Sequence, residues 1–578
     1  MKNFIFILFG MILSFSLTAQ NLDKIGSEDW FSMGGGIQTN MVFNQSSLPT
    51  NAREPFTQVL TGNVAFNILG VSLPFSFSLS NNGTAYSQPF NMVALHPSYK
   101  NLKTHIGITS TSFSQYTFSG LNFAGAAAEY SFDKWTFKAF GGRLKKAIEY
   151  NAEVDNINEV SYKRMGFGIQ TGFTHKIINA EIILLKAYDD PKSLKLHPKN
   201  PELTPQDNFV ISGKAKVNVF SGLSLDLEHA TSFITQNTRF NTIDNAYKRS
   251  GYDFLIRGNE TSDQNMAWNA GVNYSYKKFK IGVKYERIAP NYKTLGGLYF
   301  NNDLENITIA PNISLFNSKL NISVNTGFQR NNLADNKANV MKRWVANGSI
   351  SAQLIKGMNL SFNYSNFSSF TRKNPNADPF YDVILDTMNY YQVSENMSVS
   401  WNYSYGKEIK HAFNANGSYA ESQNITGRLD DAAAFGFNTN AETTTAPVET
   451  YNGIAGYNLG LSKSKWRFGV TGNINYTEAM NNLNVHYGPG VNASKSLLEN
   501  KLNITTGVTY NRQETNKELS NHVMNLRMSL RYSPKLFEEK YGKLSVSLSG
   551  NYTNRFAVDP NATSTKNSTI IANLAYTF

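Results

Sequence analysis

The last twelve residues of the chain, Asn567 to Phe578, constrain its fold more than any other stretch. Apolar residues recur there at every second position, which predicts a β-strand with one apolar face. These residues are Ile570, Ala572, Leu574, Tyr576 and Phe578. A strand at the end of a chain still needs partners on both edges, because a lipid bilayer tolerates no open edge. We therefore predict that the terminal strand pairs with the strand before it, Lys543 to Ala557, and with the first strand near residues 31–44, which closes a barrel.

The same alternation recurs in other segments, clearest in residues 466–476, 502–511 and 544–553. One face of each segment is apolar, and the other carries mostly Asn, Ser, Thr and Gly. A soluble sheet usually has Lys and Glu on its wet face, whereas a lumen wall behind a lipid-facing band has this neutral polar composition. The pattern therefore favours strands that cross a membrane.

The amino terminus predicts export. Residues 1–19 contain Lys2, an apolar run and the sequence Thr18-Ala19, which indicate a secretory signal peptide cleaved after Ala19. We assign residues 20–29 to a short periplasmic segment and residues 30–578 to a single transmembrane β-barrel domain, because no linker or change of composition interrupts them. The chain has no cysteine, which excludes disulfides and a lipoprotein anchor, and no mature apolar stretch is long enough for a membrane-spanning helix.

Counting hairpins predicts the size of the barrel. Twelve short links rich in Gly, Asn, Asp, Ser and Lys join alternating segments, and longer, variable connections lie between them. Tight periplasmic turns that alternate with longer outer loops are typical of outer-membrane barrels. With both termini in the periplasm, this count predicts an all-β, antiparallel up-and-down barrel of about 26 strands, within a range of about 22 to 28. The two weakest assignments are the strand at Met92–Tyr99, which contains Pro97, and the outer link near Asn481.

On these grounds the chain resembles the large outer-membrane β-barrel proteins of Gram-negative bacteria. The resemblance covers residues 30–578 and is most specific in the signal peptide and in Leu574, Tyr576 and Phe578, which are similar to the signal that the barrel-assembly machinery recognises. It implies an integral protein of the outer membrane whose partners are outer-membrane lipid and that machinery. About ten residues precede the first strand, too few for the plug domain of TonB-dependent receptors or the hatch of fatty-acid transporters.

The predicted width implies something about function. With strands about 4.8 Å apart and tilted by about 40°, 26 strands enclose a cylinder roughly 50 Å across. We expect infolded loops, an oval cross-section or a partner protein to narrow such a lumen, and the long connections 237–264 and 422–449 are the candidate loops. The sequence favours transport or export across the outer membrane. The alternative is a non-conducting barrel that scaffolds a secreted or surface-exposed partner.

Charged residues predict features of the lumen. A hairpin centred on Ser221 would pair Lys214 with Glu228 and Lys216 with Asp226 on the polar face. These charges either line a permeation path or satisfy one another on a wet wall. Two further groups share polar faces of strands and suggest a lumen mildly attractive to anions. They are Lys280, Lys284 and Glu286, and Arg527 and Arg531.

Other function classes find little support in the sequence. The formal charge of +12 is spread along the chain, so we expect no nucleic-acid partner. The eight histidines lie at least nine residues apart and form no HxH or HxxxH pair, so we expect no metal site. We also expect no cofactor and no enzymatic activity, because no residue pattern favours either.

Overall fold

The computed structural model shows a closed antiparallel β-barrel. It describes residues 30–47, 54–81, 91–150, 160–195, 203–240, 256, 258–297, 302–335, 342–366, 392–424, 448–479, 482–534, 542–558 and 563–578. The predicted signal peptide 1–19 and the segment 20–29 lie outside these residues. Among the described residues, no helix is long and apolar enough to cross a membrane.

The described strands follow one another in chain order. The first thirteen are β1 (Phe31–Ser46), β2 (Phe56–Ile68), β3 (Val71–Ser80), β4 (Met92–Leu95), β5 (Ser98–Tyr99), β6 (Leu102–Ser110), β7 (Asn122–Phe132), β8 (Trp135–Lys145), β9 (Arg164–Thr174), β10 (Ile178–Asp189), β11 (Asp207–Phe220), β12 (Leu223–Thr235) and β13 (Ser262–Tyr276). The remaining strands are β14 (Phe279–Ile288), β15 (Leu304–Leu315), β16 (Leu320–Arg330), β17 (Lys342–Ala352), β18 (Met358–Ser365), β19 (Gln392–Tyr405), β20 (Ile409–Asn424), β21 (Val448–Leu461), β22 (Trp466–Ala479), β23 (Asn482–Leu497), β24 (Leu502–Thr515), β25 (Glu518–Tyr532), β26 (Lys543–Ala557) and β27 (Thr565–Thr577). One turn of 3-10 helix, Leu498–Asn500, joins β23 to β24.

The barrel has 26 strands, as the sequence predicts, because β4 and β5 are two parts of one strand. Both pair with β3 on one side and with β6 on the other. The interruption falls at His96-Pro97, where proline has no N–H to donate to a neighbouring strand. Two backbone bonds hold the break in place, from the His96 N–H to the carbonyl of Pro74 and from the Thr104 N–H to the carbonyl of Pro97. The prediction of a strand at Met92–Tyr99 is therefore confirmed.

The terminal strand closes the barrel. β27 pairs with β26, from Lys543↔Thr577 to Arg555↔Thr565, and with β1, from Gly36↔Thr577 to Ser46↔Asn567. At the edge of this seam Gly35 has a φ of 127°, and a Cβ there would lie 2.0 Å from a carbonyl oxygen of β2. Only glycine fits that position without strain.

The two faces of the sheet have different chemistry, because successive side chains point to opposite sides. Large apolar side chains are exposed on the outer face, where Ile182 is 61% and Phe328 is 63% accessible. Trp135 and Trp268 belong to the same outer face and are also exposed. The inner face around the seam carries amides and hydroxyls that bond across strands, as in the pair Asn573 and Asn40. This is the lipid-facing band and polar lumen of a membrane-spanning barrel.

Two short strands precede the connections that form the site. β6 and β14 contain 9 and 10 residues, against 15 residues in β13. The connections that follow β6 and β14 turn into the lumen, where their buried residues pack against the wall.

Candidate functional site

Two connections fold into the barrel and together form the candidate site. We call residues 111–121, between β6 and β7, the first inner segment, and residues 289–297, after β14, the second inner segment. Their buried side chains pack against the lumen face of β7 to β12. Both segments belong to the end of the barrel opposite the short turns, which is the outer end in the topology predicted from the sequence.

An apolar cluster fixes the first inner segment against the wall. Phe118 is fully buried and stacks on Phe140 of β8 with ring centroids 4.1 Å apart. Phe118 also contacts Phe123 of β7, and Leu295 of the second inner segment belongs to the same cluster. The other wall residues in it include Leu144, Ile183, Leu185, Val210 and Ile234. The lumen wall is apolar here because the inner segments shield it from water.

The two inner segments are also joined to each other. The Tyr292 hydroxyl donates to the carbonyl of Tyr116 at 2.7 Å, and the Thr294 hydroxyl donates to the carbonyl of Thr117 at 2.7 Å. Gly296 packs so closely that a Cβ would lie 2.5 Å from the carbonyl oxygen of Thr117. The segments therefore form one unit.

Charged wall residues hold the first inner segment. The Lys214 ammonium donates to the carbonyl of Phe113 at 2.8 Å. The Ser114 hydroxyl donates to the Glu228 carboxylate, which also accepts from Ser212 at 3.2 Å. Lys214 and Glu228 are two of the residues that the sequence predicts on the lumen wall. Both bind a loop rather than lining an open surface.

A third predicted residue, Glu286 of β14, has the same role. It accepts hydrogen bonds from the Tyr116 hydroxyl and from the Gln115 amide, the latter at 2.9 Å, and its carboxylate lies 3.4 Å from the Lys284 ammonium. Burial and the neighbouring Glu286 carboxylate raise the pKa of Tyr116 above its ordinary value. Tyr116 therefore stays a neutral donor at physiological pH.

The second inner segment is anchored through Asn208 of β11. The Leu295 backbone N–H donates to the Asn208 side-chain oxygen at 2.9 Å, and the Asn208 amide donates to Ser232 at 2.8 Å. Ser232 in turn donates to the carbonyl of Lys293 at 2.6 Å. Asn208 is fully buried, and this chain of bonds satisfies its amide and its oxygen.

Lys293 introduces a charge into this buried unit. Burial and the nearby Arg164 guanidinium lower the pKa of Lys293 to about 8, against the opposing effect of Asp189. Arg164 itself is paired with Asp189 through two bonds of 2.7 and 2.9 Å. The ammonium of Lys293 therefore opposes docking at neutral pH.

The structure also places the remaining predicted charges. The register pairs Lys214 with Glu228 and Lys216 with Asp226. The Lys214 ammonium nevertheless lies 3.6 Å from Glu181 of β10, whereas Lys216 lies 3.7 Å from Asp226. The other predicted residues at lumen-facing positions are Lys280 and Lys284 on β14 and Arg527 and Arg531 on β25.

One close pair of histidines does not have the HxH or HxxxH spacing considered in the sequence. His96 and His105 face each other across the hairpin that turns at residues 100–101, with their Nδ1 atoms 2.6 Å apart. The His96 Nε2 atom lies 3.0 Å from the Ser76 hydroxyl. Hairpin register thus brings together two histidines that lie nine positions apart in the sequence, and the expectation of no metal site stays a prediction. In the described part of the chain no group of three potential metal ligands is present.

The candidate inward loops of the sequence analysis lie largely outside the described residues. Of the connection 237–264, residues 241–255 and 257 are outside, and of 422–449, residues 425–447 are outside. Ile256 packs against Phe209 and Phe233. These two residues lie on the same face of the sheet as Leu227, which is exposed on the outer face. The described inward segments are shorter connections that the sequence analysis did not single out. The sequence signal for these inner segments was the presence of apolar residues at lumen-facing positions of neighbouring strands, such as Phe123 of β7 and Phe140 of β8.

The carboxy-terminal residues take part in closure. Leu574 pairs with Thr39 of β1 and with Val546 of β26, and its side chain is exposed on the outer face. Phe578 exchanges two backbone hydrogen bonds with Gly35, at 3.0 and 3.2 Å. Tyr576 and Phe578 contact each other with ring centroids 5.7 Å apart. Recognition of these residues by the assembly machinery stays a prediction.

No protein-family model matches the chain, and no curated protein matches it. Among solved structures, the chain is similar to the outer membrane protein OpdK from Pseudomonas aeruginosa, at 8% identity and a TM-score of 0.30 over 70% of this chain and 100% of that chain. It is also similar to the FrpB iron transporter from Neisseria meningitidis, at 10% identity and a TM-score of 0.36 over 97% of this chain and 83% of that chain. At these values neither likeness carries an argument about this chain. Its closed sheet and apolar outer band are themselves the architecture of an outer-membrane β-barrel.

Proposed function

We propose that this protein is a transport or export conduit of the outer membrane whose lumen is narrowed by the two inner segments. The predicted signal peptide and the lipid-facing band support this location. Closure by β1 and β27 leaves no edge through which the interior opens to lipid. The interior is therefore the path that the fold provides from one side of the membrane to the other.

The observation that carries this proposal is the docking of the inner segments inside the barrel. An empty cylinder roughly 50 Å across would abolish the barrier of the membrane. An apolar cluster and charged wall residues hold the two inner segments against the inner wall, and this docking narrows the interior. The first inner segment is bound by both kinds of contact, through Phe118 and through Glu228 and Glu286.

The wall away from the inner segments is suited to a hydrated path. Its lumen positions carry Asn, Ser and Thr, and they bond to one another across strands. In β24 to β26 the Thr553 hydroxyl donates to Asn525 at 2.7 Å, and the Asn525 amide donates to Thr509 at 3.3 Å. Side chains satisfied in this way offer neutral polar groups to water and solute.

Single-channel recording in planar lipid bilayers tests the proposal. The purified full chain is expected to conduct. A variant in which residues 113–118 are replaced by Gly and Ser is expected to conduct more, because the apolar cluster and the anchors at Glu228 and Glu286 lose their partners. The matched control replaces the turn residues 462–465 in the same way, since that turn lies at the opposite end of the barrel.

Folding of each variant is checked by its electrophoretic mobility with and without heating, which distinguishes closed barrels from unfolded chains. A correctly folded barrel that stays silent, and that is recovered from native membranes with another protein, would contradict the proposal. That outcome would support the alternative of a scaffold for a secreted or surface-exposed partner.

A further inference from the structure

Four basic residues form a regular stripe down the lumen wall formed by β25 and β26. Arg527 pairs with Asn551, and Arg531 pairs with Ser547. The register therefore places Arg555, Arg527, Arg531 and Lys543 at the levels of residues 555, 551, 547 and 543 of β26. We call these four residues the cation stripe. It runs from the outer end of β26 to its periplasmic end, with one positive charge every four residues.

All four positions face the lumen. Leu526 and Met528 of β25, and Leu548 and Phe556 of β26, are exposed on the outer face. Residues of the other parity point inward, because side chains alternate along a strand. The cation stripe has that other parity throughout, and its four side chains are exposed. They are therefore accessible to solutes inside the barrel.

The described carboxylates do not neutralise the stripe. None of its four residues forms an ion pair with a described Asp or Glu. On the lumen faces of β24, β26, β27 and β25 from Asn521 onward, no described residue is Asp or Glu. The side chains between the charges are neutral hydrogen-bonding groups, such as Asn525, Asn551 and Thr553.

The opposite sector of the wall has a different charge balance. There the Glu129 carboxylate lies 3.5 Å from Lys138, and Glu181 lies 3.6 Å from Lys214. Asp226 pairs with Lys216 in the same way, and Glu228 and Glu286 bind the first inner segment. These carboxylates are occupied within the protein. The unpaired charge of the described lumen is therefore positive. Lys280, Lys410 and Arg467 are also exposed at lumen positions, and four further cations lie in one row on the cation stripe.

The spacing makes the stripe a continuous electrostatic track under dilute conditions. Four residues of a β-strand span about 13 Å. The Debye length is about 10 Å at 0.1 M salt and about 3 Å at 1 M salt. The fields of neighbouring charges therefore overlap at low salt and are separated at high salt. An anion on the stripe can move from one charge to the next without leaving a positive potential.

We infer that the cation stripe selects anionic solutes, carrying carboxylate, phosphate or sulfate groups, for passage through the lumen. This inference rests on the proposed conduit and names the class of substrate. Guanidinium groups form paired hydrogen bonds to such anions, and the amides and hydroxyls between them replace part of the anion's hydration.

The test measures the reversal potential of the purified full chain in planar bilayers under a KCl gradient. The wild type is expected to prefer chloride, more strongly at 0.1 M than at 1 M salt. The double variant Arg527→Gln/Arg531→Gln is expected to lose most of this preference, and Arg527→Glu/Arg531→Glu to reverse it. The matched control is Lys280→Gln, which removes one exposed lumen charge from the opposite sector and is expected to keep the preference.

The outcomes separate this inference from the conduit itself. A conducting wild type without anion preference, or stripe variants that retain it, would overturn the inference and leave the conduit standing. Silence of all folded variants would overturn the conduit. In that case binding of labelled dextran sulfate to the detergent-solubilised protein decides: weaker binding by Arg527→Gln/Arg531→Gln supports the stripe, and equal binding by both proteins overturns it.

Discussion

Replacing Phe118 by Ala would release the first inner segment while leaving the barrel closed. The Phe118 ring is fully buried, stacks on Phe140 at 4.1 Å and also contacts Phe113 and Phe123. None of these contacts belongs to the hydrogen bonds between strands, so the sheet does not depend on them. The change removes most of the aromatic packing that holds the segment to β7 and β8.

The expected magnitude follows from this burial. Truncation of a fully buried Phe to Ala costs about 3–5 kcal/mol. Each 1.4 kcal/mol changes an equilibrium tenfold, so the undocked fraction of the segment should rise by about 100-fold or more. In bilayers we expect more frequent and longer openings to a higher conductance level. The electrophoretic mobility of the folded barrel should not change.

The matched control is Phe132→Ala. Phe132 ends β7 on the outer face, where its side chain is 60% accessible, and it makes no contact with the inner segments. Its replacement should leave the conductance levels unchanged. If Phe118→Ala records the same levels and opening frequency as the wild type, with both proteins folded, the inner segment does not narrow the path and the reasoning is wrong.

Three further changes test other contacts of the structure. At Gly296 a Cβ would lie 2.5 Å from a side-chain carbon of Leu185, so Gly296→Val should displace the second inner segment and increase conductance. Gly213→Val should not, because nothing lies within 4 Å of a Cβ at that position. The pKa of Lys293 falls to about 8 on docking, so the undocked segment binds more protons than the docked one between about pH 8 and the ordinary pKa of lysine. Docking should therefore strengthen as the pH rises through that window, and openings should become rarer from pH 7 to pH 10. Lys293→Met should remove this dependence on pH. Gly35→Ala adds a Cβ at a φ of 127° against the facing strand, so the temperature at which the barrel unfolds on a gel should fall.

The sequence predicts the barrel well because lipid and lumen demand different side chains at alternating positions. That contrast marks each strand, and Gly, Asn and Lys mark the turns, so the strand number of 26 can be counted. The register of each hairpin can also be predicted, because residues at equal distances from a turn pair with each other. The rule that pairs Lys214 with Glu228 around Ser221, applied to the turn at residues 100–101, pairs His96 with His105 as well.

The inner segments could not be predicted in the same way. Residues 111–121 have no period of two, and their aromatic residues Phe113, Tyr116 and Phe118 do not indicate which surface they cover. Their partners on the wall come from strands far away in the sequence, including Glu228 and Glu286. Such contacts follow from the closure of the sheet, which only the three-dimensional structure specifies.

The central claim is that the two inner segments meet inside the barrel, and a disulfide cross-link between them tests it most directly. Ser119 and Gly297 form a parallel bridge between the segments, which places their backbones within reach of a disulfide. The chain has no cysteine of its own, so Ser119→Cys/Gly297→Cys introduces the sole pair. In the folded, membrane-inserted protein we predict efficient cross-linking under mild oxidation, and none for the control Ser119→Cys/Gly213→Cys, whose second position lies on the outer face. A folded barrel in which the first pair stays reduced would contradict the account.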